Sequence, residues 1–318
     1  MSLLRDEPNL LEAACARVSA QTSIPVEHIE KDYWLTESLR ALADYSVANS
    51  IPVVLKGGTS LSKCFGLLQR FSEDADMIVV FGELPETQKR RHLKGLVAAV
   101  ETATGLSAVT DTSATFKGQC RVVTLAYPDA DATTVPPRVK VELHTIGGAV
   151  PKDSMELRSL LSEHWHQVAP QGVAGDYSEL APFSIEVLEP SRTLVEKLVI
   201  LHEAHTRDRG QALARKSVTV RHYYDVWCLL GDKAVCEALQ KHNVAILARE
   251  VYNSSVAANY KTAARPAGGF AASPAFASGA ASVEADYDKV VRELVWPGAN
   301  APTFVQCLDR VRQKASLL

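Results

Sequence analysis

A glycine turn between two predicted strands is the feature that most constrains the fold of this chain. Residues 51–55 are apolar and mostly β-branched, with a proline near the start, which predicts a short buried strand. Gly57 and Gly58 end this strand, and glycine allows a ligand to approach the backbone closely. The sequence therefore predicts a strand that leads directly into a turn with accessible backbone amides.

The residues after the turn predict the start of a helix. Thr59 or Ser60 is expected to be the N-cap, and the apolar residues between Leu61 and Leu68 fall on one helical face. The first N–H groups of a helix have no partner within the helix, and they attract anions. We therefore interpret the turn and the helix start as a candidate phosphate site.

Two aspartates follow at the start of a second predicted strand, residues 75–80. Asp74 and Asp76 are two positions apart, so their side chains share one face, with Cα atoms about 6 to 7 Å apart. Two carboxylates so placed can hold one or two Mg²⁺ ions that bridge the phosphates of a nucleotide, because Mg²⁺ prefers oxygen ligands. The alternative is a tight turn with a solvated acidic strand end.

This order of elements resembles nucleotidyltransferases related to DNA polymerase β. More narrowly, residues 56–63 and 70–76 resemble the signature of the AbiEii/AbiGii toxin family of nucleotidyltransferases, which includes abortive-infection and MenT toxins. The resemblance covers most of the chain and is weakest at residues 81–135 and 265–282. Other segments that resemble family blocks are residues 29–35, 193–198, 221–225 and 286–287.

The resemblance implies an α/β (α+β) protein with two lobes. Residues 1–150 are expected to form a polymerase-β-like nucleotidyltransferase lobe, with N-terminal helices and a small mixed sheet. Residues 151–318 are expected to form a mainly helical lobe that closes a cleft over the nucleotide. Periodicity further predicts helices at residues 9–18, 29–43 and 88–102, and strands at residues 121–126 and 138–144. The resemblance implies a further helix at residues 283–295.

The resemblance also implies a reaction, a cofactor and partners. The expected activity is that of a toxin that uses Mg²⁺ to transfer NMP from an NTP to an RNA acceptor, at the 3′ end of tRNA, with a separately encoded antitoxin as partner. The alternatives are transfer to a protein or a small molecule, and a nucleotide-binding interaction module without chemistry. The complete aspartate pair favours catalysis, because a protein that only binds nucleotide does not need a paired metal site.

Further candidates complete the metal and phosphate sites. Glu142 is expected to be the third metal-site carboxylate, and a solvated ion pair with Lys140 is the alternative. Lys63 lies away from the apolar face of its predicted helix, and its position within the family motif favours a phosphate contact over a surface lysine. The expected nucleotide- and phosphate-binding residues are Lys56, Gly57, Gly58, Thr59, Ser60, Lys63 and Arg221.

Two catalytic candidates lie in the C-terminal half. Lys197 borders the apolar face of a predicted helix, so its stem can pack while the ammonium reaches a cleft and neutralises phosphate charge. Asp225 is one helical turn from Arg221, which predicts an intrahelical ion pair. The resemblance implies instead that Asp225 is an active-site acid and Arg221 its orienting or phosphate-binding partner. His222 departs from the family, whose members often have an acidic residue there.

Charge and hydropathy limit the partners. The formal net charge is −3 and the pI is near 6.3, which argues against nonspecific coating of nucleic acid. No long apolar segment or export signal is evident, so we expect a cytoplasmic protein without membrane contact. An Ala-, Gly-, Pro- and Ser-rich segment, residues 263–281, predicts a mobile loop. The connection between two predicted helical segments is basic and is the candidate RNA-binding loop; a solvated interhelical loop is the alternative. Its basic residues are Arg207, Arg209, Arg215 and Lys216.

Overall fold

The computed structural model describes residues 3–72, 74–115, 119–128, 136–169, 177–206, 217–258, 262–277 and 283–318. The chain divides into two compact units that interleave along the sequence. The first unit contains Met1–Cys64, Ser72–Thr145 and Lys152–Val187. The second unit contains Phe65–Phe71, Ile146–Pro151 and Leu188–Leu318.

The first unit combines helices with a mixed sheet. Its helices are α1 (Pro8–Thr22), α2 (Val26–Asn49), α3 (Gly57–Thr59), α4 (Glu86–Thr104) and α5 (Leu160–Val168), and α3 continues as a π-helical turn over Ser60–Cys64. Its strands are β1 (Val53–Lys56), β2 (Asp74–Val79), β3 (Ala108–Thr110), β4 (Cys120–Ala126), β5 (Arg138–His144), β6 (Lys152–Leu157) and β7 (Phe183–Leu188, the last residue of which belongs to the second unit).

Within the described residues, these strands form one seven-stranded sheet in the order β3-β4-β5-β2-β1-β7-β6. β1 pairs antiparallel with β2, and β4 pairs antiparallel with both β3 and β5. β2 pairs parallel with β5, and β1 pairs parallel with β7. Each of these pairs requires a long connection, because the first strand ends at the opposite end of the sheet from where the second strand begins. The predicted α/β class and mixed sheet are confirmed.

The sequence of β5 explains how this sheet is packed. Val139, Val141 and Leu143 are fully buried, and α2 packs against the same strand. Glu142 and His144 alternate with them and are half-buried. Because successive side chains of a strand point to opposite faces, this alternation fixes which residues face the core and which face the candidate site.

The second unit is mainly helical. Its helices are α6 (Pro190–Thr206), α7 (Ser217–Gly231), α8 (Lys233–His242), α9 (Val244–Ala257), α10 (Glu284–Leu294) and α11 (Phe304–Gln313). α7 packs against α6, α10 and α11. Aromatic side chains fill its core, and the rings of Tyr223 and Phe304 meet edge to face with centroids 4.9 Å apart.

The segment between the glycine turn and β2 belongs to this second unit. Phe71 N–H donates to Leu294 O at 3.1 Å, and Trp296 N–H donates to Gln69 O at 3.0 Å. These bonds make an isolated antiparallel bridge between Arg70 and Val295. The predicted helix therefore does not continue to Leu68, which is a correction to the sequence prediction.

Two further sequence predictions are wrong in detail. The helix after the turn begins at Gly57, with Lys56 at the N-cap position and no side-chain cap, so neither Thr59 nor Ser60 is its N-cap. The predicted mobile loop is packed over its described part, residues 262–277, because Phe270 and Phe276 are buried. No helix in the described portion of the chain combines the length and apolar character needed to cross a membrane.

Candidate active site

The candidate site of the first unit is centred on β2 and β5. Their parallel register places Asp74 opposite Lys140 and Asp76 opposite Glu142. β1, on the other side of β2, places Lys56 opposite Asp76. The structure thus brings together two carboxylates that are distant in sequence, and their role as metal ligands stays a prediction.

His144 joins this group, although sequence reasoning gave it no role. His144 Nε2 lies 3.3 Å from Asp76 Oδ1 and 3.2 Å from Glu142 Oε2. The three residues offer ligand atoms that all lie within 4.8 Å of one another. The signal was present in the alternation of β5, which puts His144 on the same face as Glu142.

The charges in this group are mutually compensating. Lys140 forms an ion pair with Glu142, and Lys56 Nζ is 3.7 Å from Asp76 Oδ1. The hydrogen bond from His144 lowers the pKa of Glu142 against the effect of burial, and Lys140 lowers it further. Burial alone would lower the pKa of His144, but hydrogen bonds to Asp76 and Glu142 raise it to about 11.

The donor chemistry of this face fits a magnesium ion. Asp76 and Glu142 supply hard carboxylate oxygens on adjacent strands. Asp74 lies two residues before Asp76 and therefore on the same face of β2. Mg²⁺ is usually held by one or two carboxylates and completes its octahedron with water and substrate phosphates. The predicted ligand set Asp74, Asp76 and Glu142 is therefore chemically suitable.

The glycine turn lies against the same carboxylate. Gly57 has φ +75°, and a Cβ placed there would be 3.1 Å from Asp76 Oδ2. A side chain at this position would be strained by the backbone conformation and would crowd the aspartate. Glycine is required here because the start of α3 approaches the candidate metal site closely.

The hydroxyl groups after the turn bind the protein itself. Thr59 donates to the carbonyl of Asp74 at 2.6 Å and lies 2.9 Å from Ser72 Oγ. Ser60 donates to the carbonyl of Gly57 at 3.0 Å. The hydrogen bond from Thr59 thereby links the turn to the start of β2. Both hydroxyls are thus engaged within the protein, and the phosphate-binding role of this segment stays a prediction.

Lys63 is tied to the N-terminal helix. Its ammonium forms an ion pair with Asp32, and the second carboxylate oxygen of Asp32 accepts from Leu160 N–H at 2.7 Å. Asp32 therefore joins α2, the π-helical turn and the start of α5. Asp32 lies in one of the segments that resemble the family, and sequence reasoning assigned no role to it.

A second cluster of charges lies in the second unit and contains Lys197 and Asp225. Asp225 is fully buried and accepts two bonds from Arg70, from Nε at 2.6 Å and from Nη2 at 2.9 Å. Lys197 Nζ is 2.7 Å from Asp225 Oδ2 and 3.2 Å from His222 Nδ1. Arg70 from the signature segment and Lys197 are therefore both partners of Asp225, and sequence reasoning predicted neither pair.

Burial and pairing shift the pKa values of this cluster. Burial raises the pKa of the Asp225 carboxyl, but the charges of Arg70 and Lys197 outweigh it and hold the pKa well below its ordinary value. Burial lowers the pKa of Lys197, against the opposing charge of Asp225. Burial and the nearby Lys197 lower the pKa of His222 to about 3, so His222 is neutral.

Comparison with protein-family models gives a match over most of the chain. The model described as nucleotidyl transferase AbiEii toxin, type IV TA system, matches residues 40–294. The chain belongs to the AbiEii nucleotidyltransferase toxin family. The resemblance seen in the signature segments is therefore confirmed, and membership in the AbiEii family makes the chain a transferase of the toxin class.

Among solved structures, MenT4, the nucleotidyltransferase toxin Rv2826c from Mycobacterium tuberculosis H37Rv, is similar to this AbiEii chain at 16% sequence identity. The similarity covers 95% of this chain and 96% of that chain, with a TM-score of 0.38. A comparison with curated proteins found no match.

The basic loop predicted to bind RNA lies between α6 and α7. Arg207, Arg209, Arg215 and Lys216 are all outside the residues that the structure describes. Their role stays a prediction from the sequence.

Replacing Asp32 with Asn is expected to destabilise the AbiEii chain, because Lys63 would lose its counter-ion in a half-buried position. We expect a loss of about 2 to 3 kcal/mol in the free energy of unfolding, measured by urea denaturation. Adding Lys63→Met to Asp32→Asn should lower the free energy of unfolding only slightly further, because the ion pair is already broken. The double-mutant cycle should therefore give a coupling energy of about 1 to 3 kcal/mol. Additive effects of the two substitutions would contradict this linkage. The exposed pair Arg90 and Glu86 is the matched control.

His222 is expected to make the second unit sensitive to acid. A histidine with a lowered folded pKa takes up a proton mainly after unfolding, so stability is lost as pH falls from about 6.5, its ordinary pKa, towards about 3. Asp225 acts in the same direction at lower pH, since its folded pKa is also lowered. Between about pH 6.5 and 4.5, His222 should account for about 2 kcal/mol of the lost stability.

The variant His222→Asn tests this pH dependence, because Asn does not titrate. Urea denaturation of the variant across the same pH range should show a flatter decline than the wild type. His166→Asn removes an exposed histidine and should leave the decline unchanged. An equally steep decline in His222→Asn would rule out His222 as the origin.

Proposed function

We propose that this chain is a Mg²⁺-dependent toxin that transfers NMP from an NTP to an RNA acceptor, at the 3′ end of tRNA, and thereby blocks translation. A cognate antitoxin encoded separately would restrain it. Membership in the AbiEii family supports the transferase chemistry and a toxin–antitoxin context. The RNA acceptor is the finer part of the proposal and rests on the resemblance of the signature segments.

The observation that carries the proposal is the juxtaposition of Asp76 and Glu142 beside Gly57. Two carboxylates on adjacent strands and an open backbone turn are the elements that a nucleotide and its metal require. Phosphoryl-group chemistry depends mainly on positioning and charge neutralisation. The sheet would position the carboxylates, and the metal and the lysines would neutralise the charge.

Each residue has a proposed role in this reaction. The N–H groups from Gly57 onward would bind the triphosphate at the helical start, with Lys56 and Lys63 as charged contacts. Asp74, Asp76 and Glu142 would hold the metal, which supplies charge neutralisation on the phosphates. An acceptor hydroxyl oxygen forms a bond to the α-phosphorus while the bond from that phosphorus to the β-phosphate oxygen breaks. Pyrophosphate leaves, and the hydroxyl proton passes to a carboxylate or to solvent.

We also propose catalytic roles for Lys197 and Asp225, and an orienting or phosphate-binding role for Arg221. Support comes from the lowered pKa values of Lys197 and Asp225, because perturbed groups in a buried charge network are common at functional sites. Arg70 would fix the Asp225 carboxylate through its two hydrogen bonds. Asp225 in turn would orient the ammonium of Lys197.

The decisive experiment incubates the purified protein with Mg²⁺, each α-labelled NTP in turn, and either total RNA or total protein. Label in tRNA, removable by a 3′ exonuclease, is the expected result. Label in the protein fraction would move the acceptor to a protein side chain. Nucleotide binding without transfer to RNA, to protein or to a small molecule would identify a non-catalytic interaction module and overturn the proposal.

Removing the basic loop charges should weaken RNA use and spare NTP binding. If the four residues contact RNA phosphates, replacing them with Gln raises the KM for RNA, because each lost contact removes released counterions. The slope of log KM against log salt should flatten by roughly 0.7 per lost contact. The loop variant replaces Arg207, Arg209, Arg215 and Lys216. The control variant replaces four exposed basic residues elsewhere: Arg91, Lys94, Lys233 and Lys241. Equal salt slopes in both variants would show that the loop is merely solvated.

A further inference from the structure

The proposed reaction assigns no role to His144. It lies on β5 two residues after Glu142, on the strand face that carries the candidate metal ligands. Its Nε2 atom is directed between the two acids, 3.3 Å from Asp76 Oδ1 and 3.2 Å from Glu142 Oε2. A histidine aimed between two carboxylates can be a counter-ion or a third metal ligand.

The spacing suits a shared metal ion. For an octahedral ion about 2.1 to 2.3 Å from each ligand atom, neighbouring ligand atoms are about 3.0 to 3.3 Å apart. Both distances from the imidazole nitrogen fall in this range. All three ligand atoms lie within 4.8 Å of one another, so one ion can contact all three groups.

The sheet register holds the imidazole in this position. Glu142 pairs with Asp76, while His144 pairs with Ile78 on β2 and Cys120 on β4, so β5 is fixed between two neighbours. Ligands on a rigid sheet keep their spacing better than ligands on a loop. The His144 side chain is also only 26% exposed, which limits competition from solvent.

We propose that His144 is a nitrogen ligand of the metal in this site and shifts its preference from Mg²⁺ towards a divalent transition ion such as Mn²⁺. Mn²⁺ shares the preference of Mg²⁺ for carboxylate oxygens but, as a first-row transition ion, also accepts an imidazole nitrogen, whereas Mg²⁺ is held by oxygen ligands. This inference rests on the proposed function, since Asp76 and Glu142 are the same carboxylates.

Calorimetry measures the preference. Metal-free wild-type protein, His144→Gln and the control His166→Gln are each titrated with MnCl₂ and, separately, with MgCl₂. We expect His144→Gln to weaken Mn²⁺ binding about 10-fold or more and Mg²⁺ binding less than threefold. His166 is exposed on α5, so its variant should match the wild type. Parallel losses for both ions, or no loss for Mn²⁺, would overturn the inference.

Pulsed electron paramagnetic resonance tests the bond without a variant. Mn²⁺ bound to the wild-type protein should show modulation from a directly coordinated ¹⁴N, which changes on labelling histidine with ¹⁵N. His166→Gln should keep this modulation and folded His144→Gln should lose it. Bound Mn²⁺ without nitrogen coupling would make His144 a counter-ion only.

Asp76→Asn separates failure of this inference from failure of the proposed function. Retained Mn²⁺ binding in Asp76→Asn would show that the metal lies elsewhere, and both proposals would fall. Lost Mn²⁺ binding in Asp76→Asn, together with no nitrogen coupling in the wild type, would remove only the role of His144.

Discussion

Replacing Asp76 with Asn is expected to lower NMP transfer at least about 10³-fold while the protein stays folded. The carboxylate lies between Lys56 on one side and Glu142 on the other, and it contacts His144. Asn has the same shape but lacks the charge that a divalent ion requires, and losing a metal ligand removes several kcal/mol of transition-state stabilisation. Label transfer from each α-labelled NTP measures the effect.

Asp153→Asn is the matched control, since Asp153 is exposed on the edge strand β6. Its transfer rate should equal that of the wild type. Circular dichroism should show the same fold for both variants, because the Asp76 side chain is 31% exposed and contributes little to packing. Transfer by Asp76→Asn at the wild-type rate would show that the reaction occurs elsewhere.

Asp225→Asn is expected to give the largest loss of stability of any single substitution considered. It leaves Arg70 and Lys197 buried without their carboxylate, and breaking a buried ion pair in this way costs about 3 to 5 kcal/mol. Urea denaturation at neutral pH should show this as a lower free energy of unfolding. Transfer by the fraction that stays folded should also fall, if Asp225 has the active-site role that the family resemblance implies.

Two other variants make the test of Asp225 specific. Asp309→Asn removes an acid whose pair with Arg312 is half-exposed, so we expect less than about 1 kcal/mol. Lys197→Met should cost less stability than Asp225→Asn, because Asp225 keeps both bonds to Arg70. The proposed catalytic role of Lys197 predicts a rate loss of about 10²-fold for the folded variant. Equal stability of Asp225→Asn and the wild type would contradict the buried network.

The parts of the site that follow from local periodicity could be predicted. Strand alternation alone placed Asp74 and Asp76 on one face, because the side-chain period of a strand does not depend on its neighbours. The glycine turn was likewise predictable, because two glycines directly after an apolar strand indicate a turn that other residues adopt less readily. These features depend on two to five consecutive residues.

The parts that depend on distant contacts could not be predicted. The helix after the turn was expected to reach Leu68, but residues 65–71 pair with the end of α10 in the second unit. Arg70 and Asp32 were visible in family-like segments, yet their partners Asp225 and Lys63 are far from them in sequence. A propensity says nothing about which remote charge a buried side chain will meet.

The parallel pairing of β2 with β5 has a consequence during synthesis on the ribosome. Asp76 and Glu142 become neighbours only when β5 has emerged and docked beside β2, and β1 must wait still longer for β7. Pairings of such large sequence separation form slowly, because loop-closure entropy opposes them. A nascent chain that has not yet exposed β5 therefore lacks the paired acids. On the proposed function, each new toxin molecule therefore lacks its metal site at least until residue 144 of 318 has been synthesised, and needs no antitoxin before that point.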